Sequence, residues 1–163
     1  MKRILLTAIV AGVVTSLAAA ATSHVVTVNS IGGGKLGQTR AAYKLLYGKP
    51  LRTDNLEGGL ARVVYKEKVD VYFNSGSSYG RYIVVSSAAF KTSAGVGPCS
   101  LASAVKSAYP SLVKLNLGGG EYAYRLGTRL WFEIEGGKVA AVALGVGNST
   151  AFIAANTTAC NRL

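Results

Sequence analysis

Leu36-Gly37-Gln38-Thr39-Arg40-Ala41-Ala42-Tyr43-Lys44-Leu45-Leu46-Tyr47-Gly48 is a glycine-bearing lead-in followed by a short amphipathic helix. Gly97-Pro98-Cys99-Ser100-Leu101-Ala102-Ser103-Ala104-Val105-Lys106-Ser107-Ala108-Tyr109-Pro110 reads as the same device a second time. Thr39 is a good N-cap residue, because its hydroxyl can accept from an otherwise unsatisfied amide of the first turn. Ala42, Tyr43, Leu46 and Tyr47 recur at helical spacing and make one apolar face. Gly48 and Pro50 stop the helix. The second helix starts at Ser100 or Leu101, shows Leu101, Val105, Ala108 and Tyr109 on one face, and ends at Pro110. Tyr43 aligns with Val105, Leu46 with Ala108 and Tyr47 with Tyr109 at one constant offset. These positions read as core.

Each helix is followed by short alternating segments. Residues 61–66, 68–74 and 81–87 follow the first; 122–126, 129–135 and 138–144 follow the second. The joints are polar or carry glycine, as hairpins require. An earlier strand is expected over 24–30, and a last one around 151–154. The fold class expected is α+β: a tandem repeat of helix plus antiparallel meander, forming one continuous sheet with helices on one face. The repeats span about 31–90 and 95–145 within a single domain, 22–163. Strand alternation puts Val69, Val71 and Phe73, with Leu130, Phe132 and Ile134, on the helix-covered face. The other face then carries Lys68, Asp70 and Tyr72, and Arg129, Trp131, Glu133 and Glu135.

Residues 1–21 have the form of a signal peptide. Lys2 and Arg3 supply a positive start, residues 4–20 are apolar, and Ala18 to Ala21 offer small-residue cleavage sites. The chain expected after cleavage is soluble, secreted or periplasmic, and monomeric. Losing Lys2 and Arg3 leaves +9 of the formal +11. Within 22–163 no two basic residues are adjacent, so the excess is spread out. It favours solubility and loose attraction to anionic surfaces rather than nucleic acid. Two cysteines in an exported chain imply one disulfide, Cys99–Cys160. The sole histidine, His24, lacks the companions of a metal or Cys–His site, so no metal and no cofactor are expected. Ile31-Gly32-Gly33-Gly34-Lys35 matches neither phosphate-loop pattern.

The run Leu36-Gly37-Gln38-Thr39-Arg40-Ala41-Ala42 resembles the Gly-x-Thr-Arg-x-x-Val lead into a helix found in secreted tandem-repeat proteins of the β-lactamase inhibitor protein-like fold. The small lipoprotein of the outer-membrane barrel assembly machinery carries one such unit. Gly95-Val96-Gly97-Pro98-Cys99-Ser100 is similar to the lead into the second helix of uncharacterised exported bacterial proteins. The resemblance covers about 31–145. It implies a curved sheet whose open, aromatic-rich face grips a protein. The chain departs from the pattern in Tyr43, in Ser100-Leu101 where Thr-Arg is usual, and in a cysteine pair that joins the second helix to the tail. Those departures leave inhibition of a β-lactamase unsupported.

No Gly-x-Ser-x-Gly elbow is present, and a serine triad has only His24 to draw on. Glu133 and Glu135 share a strand face, with carboxylates about 5–7 Å apart given the strand rise. They read as a solvated edge facing basic residues rather than a glycosidase pair. The reading is therefore a non-catalytic exported protein. It binds an unknown protein through Lys68, Tyr72, Arg129 and Trp131, the residue types that anchor interfaces. The alternatives are a basic binder of anionic envelope glycan or lipid, and a small hydrolase using Glu133 and Glu135. Trp131 is either exposed on that face or covered by the tail or a loop.

Overall fold

The computed structural model describes residues 23–118, 121–145 and 160. The expected signal peptide and the strand expected over 151–154 lie outside the described residues. The chain runs β1 (Val25–Val26), α1 (Arg40–Tyr47), β2 (Arg52–Leu56), β3 (Leu60–Tyr65), β4 (Val69–Asn74), β5 (Gly80–Val85), β6 (Lys91–Thr92), α2 (Ala102–Ala108), β7 (Val113–Gly118), β8 (Glu121–Leu126), β9 (Leu130–Glu135) and β10 (Lys138–Gly145). Eight strands form one sheet in the order β2-β3-β4-β5-β10-β9-β8-β7, and β1 pairs with β6 apart from it. Every pairing in the large sheet is antiparallel.

This corrects the expected architecture. The chain is mostly β, not an α+β tandem repeat of helix plus meander with helices on one face. The helices have eight and seven residues, too short to make a layer over eight strands. β2 and β7 are strands beyond those expected from the sequence. β2, Arg-Thr-Asp-Asn-Leu, has the charged character of an edge strand and shows no alternation to detect. The expected strand over 24–30 shrinks to Val25–Val26, because Thr27 to Ser30 close a turn through Thr27 N to Ser30 O at 2.8 Å. Leu101 is not core. It is the exposed N-cap residue of α2, outside the helical face.

Thr39 caps α1 by accepting from Ala42 N at 3.3 Å. Two tyrosines one turn apart on α1 then tether the glycine-rich lead-in. Tyr43 Oη donates to Lys35 O at 2.5 Å, and Tyr47 Oη donates to Ile31 O. The tethers explain the glycines beside them. A Cβ on Gly34 would run into the Tyr47 hydroxyl, and one on Gly80 into the Tyr43 ring. Burial pushes the Tyr43 phenol up to about 12, so it stays a donor at all working pH values. α2 has no side-chain cap. Its first turn is held by the β9–β10 turn, with Ala102 N donating to Gly137 O at 2.9 Å.

The main core joins Tyr43, Tyr47 and Val105 of the helices to Val69, Val71, Phe73, Ile83, Phe132, Ile134, Val142 and Leu144. A second apolar cluster gathers Tyr72, Tyr82, Val84, Ala123, Trp131, Ala141 and Ala143 from the reverse side of the same strands, with Leu56, Leu115 and Leu117 packed against it. Cys99 and Cys160 are bonded with their Cα atoms 5.2 Å apart. Cys99 N donates to Val139 O at 2.8 Å, so the bridge sits at the start of β10.

Tyr47→Phe removes one of two donors to the Ile31 carbonyl, which keeps the Gly34 amide at 2.9 Å. It should lower the unfolding free energy by about 0.5–1.5 kcal/mol. Urea unfolding checks this: the midpoint should fall with the slope unchanged, and an unmoved midpoint would remove the tether from the account.

Candidate functional site

β9 reads Leu-Trp-Phe-Glu-Ile-Glu, and its two faces differ in kind. Leu130, Phe132 and Ile134 enter the main core. Trp131, Glu133 and Glu135 project to the other side, as the period of a strand demands. Register fixes their neighbours. Trp131 lies between Arg125 of β8 and Ala143 of β10, and Glu133 lies between Ala123 and Ala141. Val84 and Tyr82 of β5 continue the face, followed by Tyr72 of β4. Large groups on β9, β5 and β4 thus flank a bed of alanines.

The face is closed rather than open. Trp131 is 2 % exposed, Tyr72 0 % and Glu133 1 %. The expected cluster of Lys68, Tyr72, Arg129 and Trp131 as partly exposed neighbours does not form. Lys68 sits in the 3-10 turn Lys66–Lys68 with φ 56, exposed and outside the strand pattern. Arg129 is exposed in the β8–β9 turn. Lys68 precedes β4 at the level of Ser86, Arg129 is level with Gly145, and three strand spacings separate them. That puts them roughly 20 Å apart at strand geometry. Arg125, which the sequence reading passed over, is the arginine beside Trp131, with its guanidinium carbon 5.4 Å from the ring centroid. The sequence held a signal for the closed face: β10, Lys-Val-Ala-Ala-Val-Ala-Leu-Gly, is apolar at nearly every position. Such a run marks a strand buried on both sides.

Polar atoms are buried in this apolar bed without partners. Both carboxylate oxygens of Glu133, Nε1 of Trp131 and Nε of Arg125 find no hydrogen-bond partner. Glu133 is therefore not a residue of a solvated edge, as alternation alone suggested. Burial, then the nearby charges of Glu121 and Glu135, push its carboxyl up to about 8. The proton stays on at neutral pH, because an unpaired buried carboxylate is costly. At the far end of the face, Arg62 Nη2 meets Asp54 Oδ2 at 2.6 Å and Nη1 meets Asp70 Oδ2 at 3.8 Å, while Arg52 reaches Asp54 at 3.1 Å. Hydrogen bonds from Arg62 and then Arg52 hold the Asp54 carboxyl below its ordinary range.

His24 is engaged elsewhere: Nε2 lies 2.6 Å from Glu67 Oε2, and the ring stands edge-on to Phe90. Among the described residues no group of three His, Cys, Asp or Glu side chains could hold a metal ion. No helix among them is long and apolar enough to cross a membrane.

No family model matches the chain, and no curated protein matches it. Among solved structures it is similar to an extracellular protein containing a SCP domain from Bacillus anthracis str. Ames, with TM-score 0.50 and 12 % identity over 71 % of this chain and 45 % of that one. It is also similar to a cysteine-rich secretory protein from Staphylococcus aureus subsp. aureus Mu50, with TM-score 0.46 and 14 % identity over 76 % of this chain and 50 % of that one. The chain spans about half the length of these proteins. The first likeness is one of fold. It replaces the expected resemblance to the β-lactamase inhibitor protein-like fold and the outer-membrane assembly lipoprotein. The motif behind that expectation has a local explanation here: Gly37 takes φ 79 and Thr39 caps a helix. Many folds use that turn.

A carboxyl near 8 when folded, against an ordinary value of 4.5, binds more protons in the folded state between those values. Stability is therefore full at low pH and falls as pH rises from about 4.5 through 8. The linkage limit on the loss is about 4–5 kcal/mol. Glu133→Gln should flatten this slope and exceed the wild type above pH 8. Urea unfolding at pH 5, 7 and 9 tests it; parallel pH profiles would mean Glu133 titrates normally.

Proposed function

We propose that this is an exported, non-catalytic binding protein, and that the reverse face of its sheet, around Trp131 and Glu133, is the binding surface. The observation that carries the reading is the set of buried, partnerless polar atoms on one strand face. Proteins pair nearly all such groups, and exceptions call for a reason. A ligand that donates to Glu133 and accepts from Trp131 Nε1 supplies one. Export is supported by residues 1–21 and by the extracellular character of the SCP-domain protein that shares the fold.

Binding requires the face to open. β7 is an edge strand paired only with β8, and its Leu115 and Leu117 pack on the cluster. An edge strand is the cheapest element to displace, since one ladder holds it. The chemistry favours a protein segment over envelope polyanion, because the charges of Glu121 and Glu135 lie near this face and would repel phosphate or acidic glycan. A carboxyl with a raised pKa also has the protonation of a general acid; a substrate would have to enter through the same opening, and among the described residues no metal-binding set stands beside it to assist hydrolysis.

Affinity capture tests the reading. Immobilised mature protein is exposed to the producing organism's culture fluid and solubilised envelope. We expect a protein partner retained by the wild type and lost or weakened with Trp131→Phe and with Glu133→Met, with urea unfolding showing that each variant is folded. Retention of the same partner by both variants would count against the face, and release by moderate salt would point to the anionic alternative.

A further inference from the structure

A cleft of about 190 Å³ opens on the opposite side of the molecule, between α1 and the β2–β3 hairpin. We propose that it is a second binding site, for a small organic carboxylate carrying an apolar body. The proposal is independent of the reverse-face reading and stands or falls without it.

Arg40 and Lys44 line the mouth, one helical turn apart on α1. Side chains at i and i+4 lie on the same face, and like charges there repel by a few tenths of a kcal/mol. Among the described residues neither has a carboxylate within ion-pair distance. The nearest acid along β2, Asp54, already faces the other way and is taken by Arg62 and Arg52. Thr53 precedes it in the strand and so turns its hydroxyl into the cleft. Two cations therefore converge on one opening with no protein anion to balance them.

The guanidinium is held in place. Its carbon stands 4.0 Å from the centroid of the Phe73 ring, stacked on a core aromatic. Stacking uses the face of the guanidinium and leaves its N–H edge free, the edge that grips a carboxylate with two parallel hydrogen bonds. Preorganisation lowers the entropy that binding costs. Lys44 adds a mobile point charge. Arg40 also acts on the Tyr65 phenol, opposing the rise that burial imposes, which places the charge beside the cleft wall.

The rest of the lining sets the ligand's size and body. Val63, Tyr65 and Pro50 present apolar surface behind the charges. The volume is below the roughly 300–1,000 Å³ of sites for drug-sized ligands. It fits one ring or one branched aliphatic group, not a glycan chain. Bare phosphate gains nothing from the apolar wall. The shared chemistry is a carboxylate a few bonds from an apolar group, which a free aromatic acid or the C-terminus of a peptide ending in an apolar residue can supply.

Amide chemical-shift titration of the full mature protein tests this with four probes: phenylacetate, N-acetyl-Gly-Phe, its C-terminal amide, and inorganic phosphate. We expect saturable shifts at Arg40, Lys44, Thr53 and Val63 with one or both carboxylates. Phenylacetate alone would point to a free acid, and the peptide acid alone to a chain terminus. Affinity should drop at least tenfold in Lys44→Gln, whose exposed side chain can change without harm to the fold, and further in Arg40→Gln. The proposal is overturned by unmoved cleft amides with both carboxylates. Equal binding of the peptide amide, equal binding of phosphate, or undiminished affinity in Lys44→Gln would overturn it as well.

Discussion

The pairing of β5 with β10 is the constraint on which the rest of this structure depends. Tyr82 to Val85 lie against Gly145 to Val142 at the centre of the sheet. All four β5 residues are nearly inaccessible to water. The pairing joins two four-stranded units far apart in sequence, β2 to β5 and β7 to β10. It also makes both faces of the sheet's centre into core: Ile83, Val85, Val142 and Leu144 on one side, Tyr82, Val84, Ala141 and Ala143 on the other. Without it, each unit would expose a long unpaired edge, the hazard that natural sheets avoid. The disulfide reinforces the same strand. Cys99 and Cys160 both contact the Val139 carbonyl, so the loop before α2 and Cys160 itself are pinned at the start of β10.

Much of the strand pattern was legible because alternation is a local property. β3, β4, β5, β8, β9 and β10 fall within a residue or two of the positions read from the sequence. The Thr39 cap is equally local. What failed was what depends on long-range partners. β2 carries Arg52, Asp54 and Asn55 and looks like a loop until β3 pairs with it. The fold class is not legible because the two similar helix sequences suggest organising units that the molecule does not have. In the molecule they are short pieces attached to a sheet, and one of them draws its first-turn bond from the β9–β10 turn.

The site was half legible for the same reason. Period two assigned Trp131, Glu133 and Tyr72 to one face, and they do share it. It could not say whether that face is covered. Tryptophan beside tyrosine suggested an exposed anchor, yet the alanines of β8 and β10 let the large groups settle into a second cluster. Alternation carried past the strand ends misplaces Lys68 and Arg129, where positive φ at Lys68 and the β8–β9 turn break the pattern. Arg125 becomes the neighbour of Trp131 only through strand pairing, which alternation within one strand does not reveal. On the proposed function, partner binding must both open this face and satisfy its orphaned groups, and loss of the Glu133 proton, which burial opposes, should loosen it.

Trp131 is the chain's single tryptophan, so its emission reports on this face alone. The most direct measurement is acrylamide quenching of that emission in the mature protein across pH 6 to 9.5. We expect strong protection at pH 6 and a rise in quenching centred near pH 8, absent in Glu133→Gln. Quenching as efficient as that of free tryptophan at pH 6, or a wild-type profile flat through pH 8, would contradict it.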